Sequence, residues 1–341
     1  MPIGCPVRFL LVGFGYWGPN IARTIENSEK SELVAICDVS PERCLDASSR
    51  HRSASIFQDL KCVDPNTFDA VAIATPTSSH YEIAKLFLGL GKHVLVEKPL
   101  TAKLSEAMEL VEIADQNSLI LMVDHTFVYS EPIQFIKDRL DQGLLGELNY
   151  LDSNRVNLGI FQPDVSVMWD LAVHDLAILQ FLVQEKPIAV SSTGFTHKAS
   201  RHHAIATLSL SYETNFFAHI CVSWLSPVKV RNFILGGSLE TIVFNDLSND
   251  EKIKIYDSGI DIANSNEAQS ALLSYRLGDV SVPRLRMIEP LRREIDHFVD
   301  CIWLCAQPVT SGQRALEIIS ILEAAQQSIQ DGGTPIPIRS T

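Results

Sequence analysis

The sequence has 341 residues, of which 46% are hydrophobic and 20% are charged, and its formal net charge is -13. That length suffices for a sizeable core and is typical of two domains. The acidic balance argues against a nucleic-acid partner and against adhesion to an anionic membrane, and no apolar run is long enough to predict a membrane span. The seven cysteines form no C-x-x-C pair and no long apolar segment opens the sequence, so we expect reduced thiols in a cytoplasmic protein.

A glycine loop, residues 13–18, follows the first apolar run. Residues 9–12 predict a buried strand, and Gly13, Gly15 and Gly18 then follow the G-x-G-x-x-G pattern before a helix-like segment. In that context the glycines permit a tight turn, close approach of a pyrophosphate and close packing of helix on strand. Alone, the same glycines would also fit an ordinary turn. The loop residues that we predict to bind a dinucleotide are Gly13, Phe14, Gly15, Tyr16, Trp17 and Gly18.

An acidic residue stands where a dinucleotide fold uses one. Asp38 lies twenty residues after Gly18, at the end of a second apolar run over residues 33–37. A carboxylate in this position binds the ribose hydroxyls of NAD. It would also repel the extra phosphate of NADP by roughly 4 kcal/mol at about 4 Å and an effective dielectric of about 20. We therefore predict NAD as the cofactor, the alternative being an aspartate in a surface loop.

The sequence pattern changes once along the chain. Short apolar runs alternate with helix-like segments up to about residue 123, which predicts a Rossmann domain with a doubly wound parallel sheet over residues 1–125. Strand-like segments joined by short turns then predict a second α/β domain over residues 126–341, with an open, mostly antiparallel sheet. Its predicted helices cover residues 132–142, 170–182, 289–306 and 311–330, and residues 272–287 show no clear period.

Two further strands of the first domain end in polar segments. Ligands of parallel sheets gather at the carboxyl ends of the strands. The segments T-P-T-S-S and E-K-P follow the apolar runs that end at about residues 74 and 96. We therefore add to the predicted cofactor contacts Thr75, Pro76, Thr77, His80, Glu97 and Lys98.

Three residues could carry acid–base chemistry. Lys98 follows a strand next to the expected cofactor, although it could equally be a surface lysine paired with Glu97. Asp170 and His174 are four residues apart and would share one helix face, which suits proton transfer but also a purely structural pair. No H-E-x-x-H pattern and no third ligand accompany them, so we predict no metal site.

The chain resembles the Gfo/Idh/MocA oxidoreductases, the family of glucose–fructose oxidoreductase and inositol dehydrogenase. The similarity rests on the segments GFGYWGPN, IATPTSSHY and GKHVLVEKPL, on the Asp-x-x-x-His helix and on the closing helix LEIISILEAAQQSI. The resemblance implies an N-terminal Rossmann domain and a C-terminal α/β domain whose open sheet often forms the oligomer interface. It also implies catalytic roles for Lys98, Asp170 and His174, and a homo-oligomer, either a dimer or a tetramer.

Further segments, HTFVYSEPI and EPLRREIDHF among them, are similar to family members that act on sugar nucleotides. The resemblance implies NAD-dependent oxidation or reduction at a sugar hydroxyl or keto carbon, as in 3-dehydrogenases of UDP-linked N-acetylated sugars. Asp124 departs from the pattern, which has a small residue such as glycine there. The alternatives are a cyclitol or free-sugar dehydrogenase and a non-catalytic NAD(H) sensor. The implied substrate contacts are Lys98, His125, Arg155, Asn157, Asp170 and His174, and the alternative for Arg155 and Asn157 is a strand-end pair that fixes a turn.

Overall fold

The chain divides into two compact units in a computed structural model, which describes residues 4–159, 161, 165–262 and 273–339. The first unit comprises residues 1–129 and 288–323, and the second comprises residues 130–287 and 324–339. The second unit therefore differs from the predicted domain 126–341, because residues 288–323 return to the first unit.

The first unit is built on six parallel strands in the order β3-β2-β1-β4-β5-β6. Its central strands are apolar runs because they are buried on both faces. The predicted Rossmann-type sheet is confirmed. The elements are β1 (Val7–Val12), α1 (Gly18–Glu26), β2 (Ser31–Cys37), α2 (Pro41–Arg50), β3 (Ser55–Phe57), β4 (Ala70–Ile73), α3 (His80–Gly89), β5 (His93–Glu97), α4 (Leu104–Gln116) and β6 (Leu121–Asp124).

The second unit contains a mixed sheet of nine strands in the order β14-β13-β12-β11-β7-β10-β9-β8-β15. Every strand pairing is antiparallel except that of β10 with β7, which agrees with the prediction. The elements are α5 (Glu131–Asp141), β7 (Leu148–Leu158), a π-helical turn (Met168–Ala172), α6 (Val173–Leu182), β8 (Ala189–Thr196), β9 (His203–Ser211), β10 (Phe217–Ser223), β11 (Leu225–Gly237), β12 (Thr241–Asn245), β13 (Ile253–Ile262), β14 (Leu273–Ser281) and β15 (Ile336–Pro337).

One face of this sheet is apolar and the other is mixed. On β9, Ala206, Leu208 and Leu210 are fully buried, whereas the residues that alternate with them are at most half-buried. The mixed face carries Tyr150 and Phe217, which are 41% and 45% exposed. Tyr150 and Phe217 are also register partners across β7 and β10, so the two residues are neighbours on that face.

Two further helices lie between residues 290 and 330. They are α7 (Pro290–Leu304) and α8 (Gly312–Gln330). The ring of Phe298 in α7 lies 5.8 Å from that of Phe9 in β1, and Asp300 pairs with Lys30 at 2.6 Å. These contacts explain why residues 288–323 belong to the first unit. None of the helices in the described ranges is both long and apolar enough to cross a membrane.

Two local predictions need correction. The helix predicted over residues 170–182 begins with the π-helical turn, and its α-helical part starts only at Val173. The stretch without a clear period contains β14, which pairs with β13. In both cases pairing or packing with other parts of the chain sets the backbone, and the local pattern alone does not show it.

Candidate active site

The glycine loop forms a closed turn at the carboxyl end of β1. Gly13 has φ +95°, and a Cβ there would lie 2.5 Å from the carbonyl oxygen of Ala74. A Cβ on Gly18 would lie 2.4 Å from the carbonyl oxygen of Gly13, so only glycine lets α1 start this close to the strand. At Gly15 the nearest neighbour of such a Cβ is the Arg43 guanidinium at 3.5 Å, which leaves the backbone approachable. The loop therefore fits a dinucleotide pyrophosphate at the start of α1.

Asp38 is fixed beside this loop. Its Oδ2 accepts a hydrogen bond of 2.7 Å from the N–H of Phe14, and its Oδ1 accepts one of 2.8 Å from the N–H of Ser40. Its side chain is only 4% exposed, and Arg43 Nη1 lies 3.6 Å from Oδ2. Because each carboxylate oxygen can accept more than one hydrogen bond, the group can still receive ribose hydroxyls.

The segment after β4 is braced by a buried histidine. Thr75 and Thr77 are half-buried and Pro76 is exposed, which leaves the segment open to a ligand. The ring nitrogens of His80 lie 2.9 Å from the carbonyl oxygen of Pro99 and 2.8 Å from that of Thr75. These contacts use both ring nitrogens, so His80 supports two loops at the carboxyl edge of the sheet. Direct contact of His80 with a cofactor stays a prediction.

The segment after β5 carries Lys98. The N–H of Lys98 donates to Glu97 Oε2 at 3.2 Å, and the Lys98–Pro99 peptide bond is cis. Burial raises the pKa of Glu97 well above its usual value, and the neighbouring Asp124 carboxyl adds to the effect. Burial also lowers the pKa of His125 to about 4, so its imidazole is neutral at pH 7. Since His125 is only 3% exposed, its predicted contact with substrate stays a prediction.

The second unit carries the Asp170–His174 pair. Asp170 lies in the π-helical turn and His174 in the first turn of α6, and both are half-buried. The indole Nε1–H of the buried Trp224 donates to Asp170 Oδ2 at 3.1 Å. π-Helical turns within helices are frequent at functional sites. The spacing predicted one shared α-helical face; the π turn changes the geometry while keeping both residues on consecutive turns.

Arg155 of β7 forms a buried ion pair with Asp175. Its guanidinium donates from Nε to Asp175 Oδ2 at 2.6 Å and from Nη2 to Oδ1 at 3.1 Å. Ser153 Oγ donates to the same Oδ1 at 2.9 Å, and the Arg155 side chain is only 3% exposed. Arg155 thus anchors Asp175, the residue next to His174, to β7, and its predicted contact with substrate stays a prediction. Asn157, two residues along β7, is half-buried.

Two family models match this chain. A family model described as an oxidoreductase family with an NAD-binding Rossmann fold matches residues 7–125, and the GFO/IDH/MocA C-terminal domain matches residues 133–243. The chain belongs to the GFO/IDH/MocA oxidoreductase family. The predicted family and the predicted enzyme class, an oxidoreductase, are thereby confirmed.

Named GFO/IDH/MocA relatives differ in substrate. The UDP-N-acetylglucosamine 3-dehydrogenase of Acidithiobacillus ferrooxidans is 30% identical over 218 residues, which are 62% of this chain and 66% of that protein, so slightly less than two thirds of its length is matched. A D-apiose dehydrogenase of Paraburkholderia graminis is 24% identical, covering 95% of this chain and 88% of that protein. The crystal structure of WlbA dehydrogenase from Bordetella pertussis with NADH and UDP-GlcNAcA has a TM-score of 0.79 at 21% identity, covering 98% of this chain and 100% of that chain, which shows the shared fold.

Sequence reasoning missed two groups beside the family's Glu-Lys-Pro segment. Asp124 stood out only as a departure from the family pattern, and Glu294 of α7 gave no signal. Glu294 is fully buried, and the pKa of its carboxyl is raised well above the usual value by burial and by Asp124. Glu294 and Asp124 are separated by 170 residues in the chain, so no local pattern reveals that the two carboxyl groups interact. Among the described residues, no group of three or more His, Cys, Asp or Glu could hold a metal ion.

Replacing Glu294 by Gln should change the pH dependence of stability. Because the pKa of Glu294 is higher in the folded chain, its protonated form contributes stability that is complete below about pH 4.5 and is lost as the pH rises through the folded pKa. Over that range the wild type should lose up to about 1.4 kcal/mol of unfolding free energy per pH unit relative to Glu294→Gln. Urea unfolding of both proteins at pH 5, 6.5 and 8 measures the difference.

The histidines do not affect the difference in unfolding free energy between the wild type and Glu294→Gln. His93 and His125 have pKa values lowered to about 4, so their contributions grow between about pH 4 and 6.5 and then level off. Both residues are present in the wild type and the variant, and their effects cancel in the difference. A difference in unfolding free energy that stays constant from pH 5 to pH 8 would contradict the assignment of a buried, protonated Glu294.

Proposed function

We propose that this protein is an NAD-dependent dehydrogenase that oxidises a sugar hydroxyl, or reduces the corresponding ketone, on a nucleotide-linked sugar. The observation that carries the proposal is the combination of a dinucleotide loop, the Glu97-Lys98-Pro99 strand end and the Asp170–His174 pair in one GFO/IDH/MocA chain. The 30% identity to a UDP-N-acetylglucosamine 3-dehydrogenase supports the nucleotide-linked substrate.

The proposed mechanism assigns one role to each polar group. NAD, when bound, supplies the acceptor for the hydride that leaves the carbinol carbon as its C–H bond breaks. Lys98 donates a hydrogen bond to the reacting oxygen and stabilises the charge that develops there. His174 accepts the hydroxyl proton as general base, and returns it in the reverse direction. Asp170, itself held by Trp224, orients the imidazole and stabilises its protonated form.

The choice between NAD and NADP should depend on Asp38. In the wild type we expect NAD to be preferred, because the buried carboxylate repels a 2′-phosphate. Asp38→Ala should weaken NAD binding and reduce the NAD preference by about 10-fold to 1,000-fold, the upper limit being set by roughly 4 kcal/mol of repulsion. Isothermal titration with NADH and NADPH measures both effects.

Arg43 provides the control for this cofactor prediction. Its guanidinium lies 3.6 Å from Asp38 and is 54% exposed, so it is the available cation for a 2′-phosphate. Arg43→Ala should weaken NADPH binding more than NADH binding. A wild-type protein that binds NADPH more tightly than NADH would reject the NAD assignment.

A second candidate substrate class is a free sugar or cyclitol. The buried pairing of Arg155 with Asp175 favours it, since this arginine is engaged inside the fold and is unsuited to a nucleotide diphosphate. Absorbance at 340 nm with UDP- and dTDP-linked sugars, free aldoses and inositols separates the classes. NADH formation with one UDP-sugar supports the proposal, and NADH formation only with free sugars or inositols replaces it by the second candidate.

A non-catalytic NAD(H) sensor is the alternative outside the enzymes. A sensor requires the glycine loop and Asp38 but has no use for Lys98, Asp170 and His174. It should bind NADH, change its assembly state and give no turnover with any substrate of the screen. Turnover that depends on Lys98 and His174 would exclude it.

We also infer a homo-oligomer, a dimer or a tetramer, that uses the mixed face of the nine-stranded sheet. The support is the pair Tyr150 and Phe217, two large aromatic side chains that are 41% and 45% exposed and adjacent in register. Light scattering coupled to gel filtration should give a mass of two or four chains. Tyr150→Glu combined with Phe217→Glu should lower that mass, and a monomeric wild type would contradict the inference.

A further inference from the structure

Three carboxyl groups meet at the carboxyl edge of the parallel sheet in the first unit. Glu97 and Asp124 are register partners at the ends of β5 and β6, and Glu294 reaches them from α7. Asp124 contributes to the raised pKa of both glutamates. Oε1 of Glu97 and both carboxyl oxygens of Glu294 are inaccessible to solvent. We call these three residues the carboxyl cluster.

Asp124 also contacts the glycine loop. The indole Nε1–H of Trp17 donates to Asp124 Oδ2 at 3.1 Å. On the other side, Asp124 Oδ1 accepts a hydrogen bond from the N–H of Thr126 at 3.2 Å and one from its hydroxyl. One side chain thus joins the end of β6 to the loop after β1, although the two strands are separated in the sheet by β4 and β5.

Trp17 is the residue from which α1 begins. Its carbonyl oxygen accepts hydrogen bonds from the N–H groups of Asn20 at 2.9 Å and Ile21 at 3.3 Å, and no side chain caps this helix. Its neighbour Tyr16 is 95% exposed, so the loop has little packing of its own on that side. The Trp17–Asp124 hydrogen bond therefore connects a side chain of the glycine loop to the rest of the first unit.

We propose that Asp124 is a positioning residue for the cofactor, which holds the glycine loop and the start of α1 in place through the Trp17 indole. The inference rests on the proposed cofactor site. It explains why this chain can carry an acidic residue where the family pattern has a small one: the indole and Thr126 supply the hydrogen-bond donors that a buried carboxylate requires.

The two glutamates fit this arrangement chemically. With three ionised carboxylates in contact, mutual repulsion would push Asp124 away from Trp17. Burial and the neighbouring Asp124 raise the pKa values of Glu97 and Glu294, which favours their protonated forms. A protonated carboxyl group can donate its O–H, in addition to the donors that Trp17 and Thr126 supply to Asp124. The carboxyl cluster thus orients Asp124 without adding charge around it.

The test measures NADH binding to the full-length protein by isothermal titration in Trp17→Phe, Asp124→Gly and Asp124→Asn. Trp17→Phe keeps an aromatic side chain but removes the N–H donor together with the five-membered ring of the indole. We expect Trp17→Phe and Asp124→Gly each to weaken NADH binding by about 10-fold, the usual scale for a hydrogen bond to a charged group. The double variant should be no weaker than either single one, because both changes remove the same hydrogen bond.

A matched control is available in the same unit. Trp303 of α7 also donates its indole N–H, to the carbonyl oxygen of Cys5 at 3.1 Å, and lies outside the proposed site. Trp303→Phe should leave NADH affinity unchanged. Asp124→Asn keeps an acceptor oxygen for Trp17 and should restore most of the affinity lost in Asp124→Gly. Thermal melting of each variant establishes that the protein being titrated is folded.

The outcomes separate this inference from the proposed function. Weakened NADH binding in Trp17→Phe and Asp124→Gly, with recovery in Asp124→Asn, supports it whether or not any sugar is turned over. NADH affinity equal to that of the wild type in both variants overturns the positioning role and leaves the dehydrogenase proposal standing. A folded wild-type protein that binds neither NADH nor NADPH overturns both.

Discussion

Replacing Lys98 by Met or His174 by Ala should lower kcat by about 100-fold to 10,000-fold, the usual contribution of a positioned acid or base. Lys98→Met removes the donor to the reacting oxygen, and His174→Ala removes the proton acceptor. Asp170→Asn should lower kcat less, because the imidazole remains and loses only its orienting charge. NADH affinity should fall less than kcat in all three variants, since the assigned roles concern the reacting hydroxyl, although Lys98 is also a predicted cofactor contact.

The comparison needs steady-state kinetics with the substrate found in the screen, and NADH titration of each variant. Lys103→Met is the matched control for Lys98→Met, because Lys103 is exposed and pairs only at the surface with Glu106. Turnover equal to that of the wild type in all three active-site variants would reject the assignment. A loss of NADH affinity parallel to the loss of turnover would instead place Lys98 or His174 in cofactor binding alone.

Replacing Arg155 by Met should destabilise the protein by about 3–5 kcal/mol, because it leaves the buried Asp175 carboxylate without its cation. The side chains of Arg155 and Asp175 are 3% and 5% exposed, so water cannot replace the lost partner. Ser153 would remain as a donor to Asp175, which is insufficient for an ionised group. The midpoint and slope of urea unfolding give the change in the free energy of unfolding.

Two comparisons isolate the buried pair. Arg50→Met breaks the exposed pair with Asp46 in α2 and should cost about 0.5 kcal/mol or less. Combining Arg155→Met with Asp175→Asn should recover part of the loss, since it removes the uncompensated charge. An Arg155→Met protein of wild-type stability with a raised KM for the sugar substrate would contradict the structural role and support the predicted contact of Arg155 with substrate.

Most of the fold of the first unit could be predicted from the sequence, because its sequence signals are local. The apolar runs of β1 and β4, the glycine loop and the position of Asp38 each lie within a short segment, and parallel topology then places the strand ends on one edge. The burial of Arg155 could also be predicted in part. Leu151, Ser153 and Arg155 alternate along β7, so they share a face, and Leu151 marks that face as buried.

Other features depend on residues far apart in the chain. The partner of Arg155 lies on α6, and the contact of Glu294 with Asp124 requires α7 to return to the first unit. Residues 168–172 form the π-helical turn before His174, although their sequence pattern is equally suited to an α-helix. A pattern within one short segment cannot predict contacts between residues that are far apart in the chain.

The return of residues 288–323 to the first unit also sets an order of events during synthesis. Residues 1–129 are synthesised long before α7. The contact of Phe9 with Phe298, and that of Glu294 with the paired ends of β5 and β6, can therefore form only after α7 has been synthesised. Native contacts of such long sequence separation form slowly and late. The nascent Rossmann sheet therefore lacks its contacts with α7 until residues 130–287 have been synthesised.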